Sequence, residues 1–154
     1  MSGAAERLAA LGLTLPPVAA PVAAYVPAVR TGMCVYTSGQ LPTVDGKLPA
    51  VGKVGAEVSA QDAAGMARTC ALNALAAAAS AAGGLEAIRR IVKVTGFVAS
   101  APGFGGQAQV INGASELLIE VLGEDGQHAR SAIGVAELPL NAPVEVELIA
   151  EVRD

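Results

Sequence analysis

The run from Ser59 to Gly84 narrows what this chain can fold into more than any other segment. Within it, Ala71 to Leu85 is weakly polar, interrupted by Asn73 and Ser80 and closed by Gly83-Gly84. A transmembrane span needs about 20 strongly apolar residues. Alanine supplies much of the hydrophobicity here, so the segment reads as a buried helix of a soluble protein. Ser59 is placed to N-cap it, and Asp62 three residues on approximates a capping box with the shorter acid. The spacing predicts a helix to about Ala82, stopped by the paired glycines. Alanine costs little side-chain entropy and lets a helix approach a sheet closely.

A sheet is what the remaining pattern supplies. After a Pro-rich lead-in at Leu15 to Pro21, strand patterns run from Ala24 to Arg30 and from Met33 to Ser38, with Thr31-Gly32 turning between them. Gln40 to Gly55 is rich in glycine and proline and reads as a loop. Leu85 to Arg89 reads as one more helical turn before a strand from Arg90 to Ala99. A second helix is predicted from about Gly106 to Leu122, ending at Gly123. Strands from His128 to Val135 and Val144 to Val152 follow, joined by the turn Leu138-Pro139-Leu140-Asn141. The order is an α+β pattern, with two helices on one face of a mixed sheet. In Val144-Glu145-Val146-Glu147-Leu148 one face is apolar and the other carries the carboxylates. Several strands alternate without becoming polar, so burial of the second face by neighbouring subunits is expected. All 154 residues read as one domain, with residues 1–20 as an N-terminal extension bearing a short surface helix that ends at Gly12.

Composition removes several function classes. The net charge is -4, and Tyr25, Tyr36, Phe97 and Phe104 are the full aromatic set. Single-stranded nucleic acid is normally held by a basic groove with interleaved aromatics. Here Arg89, Arg90 and Lys93 form the one tight basic cluster, which reads as a solvated patch at a strand entry rather than a phosphate track. Glu6 and Arg7 stand where a signal peptide would need a basic start and an apolar core. Cys34 and Cys70 have no metal-ligand or CxxC spacing. Both read as reduced fillers, which places the chain in the cytoplasm.

The chemistry concentrates in the last strands. Period two puts His128, Arg130 and Ala132 on one face and Ser131 and Ile133 on the other. Small residues flank Arg130, so its guanidinium would sit in an open hollow, and its planar fork suits bidentate carboxylate binding. The competing reading is a structural ion pair with Glu137, Glu145 or Glu147. Glu145, placed opposite on the last strand, could serve as acid/base or position a water; an edge-strand solvating charge is the alternative. His128 titrates nearest neutral pH, or is a bystander.

Five motifs stand in register: Tyr25-Val26-Pro27, Thr37-Ser38-Gly39-Gln40-Leu41-Pro42, Ile111-Asn112-Gly113-Ala114, His128-Ala129-Arg130-Ser131-Ala132, and the ending Leu138-Pro139…Val144-Glu145-Val146-Glu147. Together they resemble the RidA/YjgF family, also filed as endoribonuclease L-PSP, and a longer subgroup of it. The resemblance implies a chorismate-mutase-like fold and a homotrimer with pockets between subunits. It implies that Arg130 holds a substrate carboxylate and Glu145 orients the attacking water. Tyr25, Ser38, Gly39, Gln40 and Asn112 would line the pocket. Ala132 stands where the standard deaminase subgroup has a cysteine, and His128 where many relatives have proline, at the pocket rim. The implied substrates are imines or enamines of 2-keto acids, such as 2-aminoacrylate, hydrolysed to keto acid and ammonia without metal or organic cofactor. The alternatives are a non-catalytic trimer that binds small carboxylates, as sensor or interaction module, and an endoribonuclease. Mutase-like chemistry would share the fold only.

Overall fold

The computed structural model describes residues 3–21 and 23–154. Helix α1 spans Ala4–Ala10. The Ser59 cap forms as its spacing predicts: the Asp62 amide donates to Ser59 Oγ at 3.0 Å, and α2 runs Ala60–Ala82. Gly83 ends it in the left-handed region, with φ of 96°, which only glycine adopts without a Cβ penalty. The strands are β1 (Ala28–Thr31), β2 (Cys34–Thr37), β3 (Ile88–Ala99), β4 (Ala129–Val135) and β5 (Val144–Val152).

They form a 5-stranded sheet in the order β1-β2-β5-β3-β4. Only β3 and β4 pair in parallel. Helix α2 carries the chain from β2 to β3, and α3 (Gln107–Leu122) carries it from β3 to β4. Such crossovers place both helices against the sheet. The core lies between, built from Val94, Val98, Val146 and Leu148 of the sheet and Leu75 and Leu117 of the helices. This is the α+β arrangement that the pattern predicts, with the helices on one face of a mixed sheet.

Two glycines seat α3. A Cβ on Gly113 would collide with the Ala64 backbone of α2, and one on Gly96 with the Ile111 side chain. Their bare backbones let α3 sink between α2 and β3, bringing its outer face to the β4 edge of the sheet.

Several boundaries differ from expectation. The first strand begins at Ala28 rather than Ala24. Pro27 has no amide to donate to a ladder, the Tyr25 amide turns back to the Ala23 carbonyl, and the Val26 carbonyl accepts from Ser38 Oγ at 2.6 Å. Tyr25 therefore lies in a bend. The hairpin turn is Gly32-Met33, because Thr31 pairs with Cys34. Strand β3 starts at Ile88, two residues earlier than expected. Strand β4 starts at Ala129, so His128 precedes it. Helix α1 is more than a surface element, since Leu8 is buried in the core and the helix packs on α3. Cys34 and Cys70 are free thiols.

Along β5 the burial alternates as the sequence predicts, with Glu145, Glu147, Ile149 and Glu151 half-buried on the face away from the helices. Tyr36 (46% exposed) and Ile133 (41%) lie on that same face. Among the described residues no helix is long and apolar enough to cross a membrane.

Candidate functional site

Arg130 sits on the edge strand β4, aligned with Val94 of β3, so it leaves the sheet on the helix side. Its guanidinium lies along α3. Nη1 donates to Asn112 Oδ1 at 2.8 Å and to Ser115 Oγ at 3.2 Å, and Nη2 donates to the Ala108 carbonyl at 3.3 Å. Asn112 and Ser115 are three residues apart and so share a helix face. All three acceptors are neutral. The alternative of a structural ion pair is not what forms: Glu137 pairs with Lys53 at 3.1 Å, and among the described residues no carboxylate pairs with Arg130. Nε–H and one Nη2–H remain without a protein acceptor among the described residues.

His128 closes the same cluster, with Nε2 2.9 Å from Ser115 Oγ and Nδ1 2.6 Å from the Gly126 carbonyl oxygen. Ala132, aligned with Gly96, shares the helix-side face. A groove of about 460 Å³ opens beside His128, lined by Arg90, Ile91, Gln127, Ala129 and Glu151 among others.

Glu145 belongs to a different neighbourhood. It is aligned with Phe97 on the sheet face away from the helices. Burial raises its pKa, and the neighbouring Glu147 carboxylate raises it further. A Cβ on Gly39 would stand 2.8 Å from its carboxyl carbon, so the glycine makes room for the carboxylate. Gly39 is held there from both sides. Gln40 exchanges backbone hydrogen bonds with Val146 at 2.8 and 3.0 Å, and its side-chain amide donates to the Ser38 carbonyl at 3.3 Å. Buried Asn73 of α2 donates to the Leu41 and Thr43 carbonyls, both at 3.0 Å. Ser38 ties in the Tyr25 segment through Val26.

The sequence-predicted site residues thus fall into two groups: Arg130, Asn112, His128 and Ala132 at the β4 edge, and Glu145, Ser38, Gly39, Gln40 and Tyr25 around β5. The expectation that Glu145 lies opposite Arg130 does not hold within one chain. Strand β3 separates β4 from β5, and the registers of Val94 and Phe97 set the two residues three positions apart. At about 4.8 Å per strand and 3.3 Å per residue, the offset is roughly 10 Å in each direction, and the side chains leave opposite faces.

The YjgF/chorismate mutase-like family profile, whose description also carries an endoribonuclease label, matches residues 5–152. This chain belongs to the YjgF/RidA family. Among its relatives, Protein TCP17 of Trypanosoma cruzi is 42% identical over 151 residues, which is 97% of this chain and 94% of that one. The crystal structure of Atu1372 from Agrobacterium tumefaciens, a protein of unknown function, superposes with a TM-score of 0.90 at 48% identity, covering 97% of this chain and 92% of that one. E. coli TdcF, solved with bound serine, is more distant, with 29% identity, a TM-score of 0.65 and coverage of 89% and 94%.

Two residues that shape this YjgF/RidA site escaped sequence reasoning. Asn73 is a buried polar residue within the Ala-rich stretch of α2, and Ser115 is a half-buried one on α3, and each looks like an interruption of a pattern. A polar side chain that a helix removes from solvent, wholly as at Asn73 or partly as at Ser115, is nonetheless a signal, because burial demands a hydrogen-bond partner. The basic cluster is dispersed: Arg89 pairs with Glu151 at 3.2 Å, and Lys93 shares a groove with Glu147. Among the described residues no three His, Cys, Asp or Glu side chains gather as a metal site.

Proposed function

We propose that this chain hydrolyses small 2-imino and enamine carboxylates to 2-keto acids and ammonia, working as a cytoplasmic homotrimer. Each pocket forms where the Arg130 cluster of one subunit meets the Glu145 cluster of the next. The observation that carries the reading is Arg130: a guanidinium positioned by three neutral acceptors, with no carboxylate partner among the described residues and two N–H donors left over. A small carboxylate is the ligand that satisfies both donors and the charge. The serine bound by TdcF is a small 2-amino carboxylate and belongs to the same chemical class.

The separation of Arg130 from Glu145 supports an inter-subunit site, because one chain cannot bring both to one substrate. The half-buried apolar and acidic face of the sheet supplies the surface for association. In the pocket, the substrate carboxylate accepts from the Arg130 Nε–H and Nη2–H. Glu145, with its raised pKa, takes a proton from water as the oxygen adds to the imine carbon. Returning that proton to nitrogen gives the carbinolamine; Glu145 then passes the carbinolamine's hydroxyl proton to the amine nitrogen, so that the carbonyl forms as the carbon–nitrogen bond breaks and ammonia leaves. The imine carbon is already electrophilic, so orientation and charge stabilisation suffice, and the mechanism calls on no cofactor.

Ala132 favours a second reading, a carboxylate-binding trimer without turnover, because no thiol stands where the deaminase subgroup has one. The intermixed charges around Arg89 and Lys93 weigh against a ribonuclease, which would need a continuous basic track.

The test is hydrolysis of 2-imino acids generated by an amino-acid oxidase and trapped with semicarbazide. Wild type should suppress semicarbazone formation and Arg130→Ala should not. If wild type binds pyruvate yet leaves every imine untouched, the binding reading replaces the enzymatic one.

A further inference from the structure

His128 is the single histidine of the chain, and protein engages both of its ring nitrogens. The Gly126 carbonyl, 2.6 Å from Nδ1, can only accept, so Nδ1 carries the proton of the neutral ring. Nε2 must then accept, and the hydroxyl proton of Ser115, 2.9 Å away, is committed to it. A serine oxygen whose proton points at the imidazole turns its lone pairs elsewhere. Arg130 Nη1 donates to it at 3.2 Å, with its other proton going to Asn112 Oδ1 at 2.8 Å.

We infer that Ser115 and His128 are positioning residues for Arg130. The imidazole fixes the Ser115 hydroxyl as an acceptor, and Ser115 with Asn112 locks Nη1 so that the remaining Nε–H and Nη2–H face the ligand. The inference rests on the reading that Arg130 binds a carboxylate. It assigns His128 a role exerted through Ser115, because neither ring nitrogen is left over to touch a ligand.

The sole histidine makes the first half of the test direct. In protein labelled with ¹⁵N histidine, with the ring neutral, the imidazole shifts should report the Nδ1–H tautomer. The Nε2–H tautomer, the usual one in water, would overturn the arrangement. The second half compares pyruvate affinity by calorimetry, and imine turnover, in Ser115→Ala, Ser115→Thr, His128→Phe, His128→Gln and Arg130→Ala. Ser115→Ala and His128→Phe should weaken pyruvate binding about tenfold, the scale of a hydrogen bond to a charged group. KM should rise more than kcat falls. Ser115→Thr keeps the hydroxyl and His128→Gln keeps an acceptor, so both should stay near wild type.

Unchanged affinity in Ser115→Ala and His128→Phe, beside a loss in Arg130→Ala, overturns the relay and leaves the carboxylate site standing. Unchanged affinity in Arg130→Ala removes the site and the relay together. Should Ser115→Ala fail to fold, His128→Phe and His128→Gln give the same contrast from the other end, and an equal loss in both overturns the inference.

Discussion

Arg130 and Glu145 are charged residues of one sheet, yet the fold treats them in opposite ways. Arg130 stands at an edge, and every group that holds it is neutral and mounted on or beside α3. Glu145 stands on an interior strand, partly desolvated, beside a like charge and against a glycine backbone. The first arrangement keeps a full positive charge in a fixed orientation at little cost, because a guanidinium at an edge stays partly hydrated. The second makes ionisation harder and raises the carboxyl pKa above its ordinary value. On the proposed reading, one region holds a ligand and the other exchanges a proton. Because the two lie on opposite faces of one protomer, assembly is what would join them.

The strongest way to break this comparison is to separate the two roles. Glu145→Gln should lower kcat by about 10² to 10⁴, the range for losing a general acid–base, while pyruvate affinity stays close to wild type. Arg130→Ala should instead abolish measurable pyruvate binding. Unfolding and refolding the two variants together as an equal mixture sharpens the point. If each pocket takes Arg130 from one subunit and Glu145 from the next, about a quarter of the pockets in randomly mixed trimers are intact. Activity should return to that level, and no return would place both residues in one subunit's pocket. Smaller effects probe the supports. Asn73→Leu deprives the Leu41 and Thr43 carbonyls of their donor and should cost about 2 kcal/mol in denaturant unfolding. Gly39→Ala should spare stability, because Gly39 does not have a positive φ, yet push the Glu145 carboxyl aside. A kcat about tenfold lower with a melting temperature within a few degrees of wild type is expected, and the reverse outcome would make Gly39 a folding residue.

These supports also mark how far the sequence could be read. The ends of α2 were legible because capping is local: a serine, an aspartate three residues on and a glycine pair suffice. The β5 alternation was legible because period two survives any strand order. Strand order itself was not, because β5 inserts between β2 and β3 and no residue in β5 announces its neighbours. That insertion is what moves Glu145 away from Arg130. Period two grouped His128 with Arg130, but their link runs through Ser115 on α3 rather than along β4, a tertiary contact that no local pattern carries. Tyr25 reads as part of a strand by residue type, but Pro27 offers the ladder no amide and the Tyr25 amide turns back to Ala23.

The smallest predicted effect tests the electrostatics of Glu145 directly. Its folded-state pKa lies above the ordinary 4.5, through burial first and the Glu147 carboxylate second. Below pH 4.5 the group is protonated in both folded and unfolded chains and contributes nothing. As pH rises from there towards the folded value, the unfolded chain releases this proton while the folded one retains it, so stability falls and then levels off. Glu145→Gln lacks that loss. The variant should match wild type in thermal scans at pH 4 and melt higher at pH 8. Glu147→Gln, which removes only the second cause, should recover a smaller part of the difference and shift the acidic limb of the pH–rate profile downward. Equal melting of Glu145→Gln and wild type at both pH values would mean that the carboxylate is as well solvated as an exposed one, and the contrast with Arg130 would lose its proton-exchanging half.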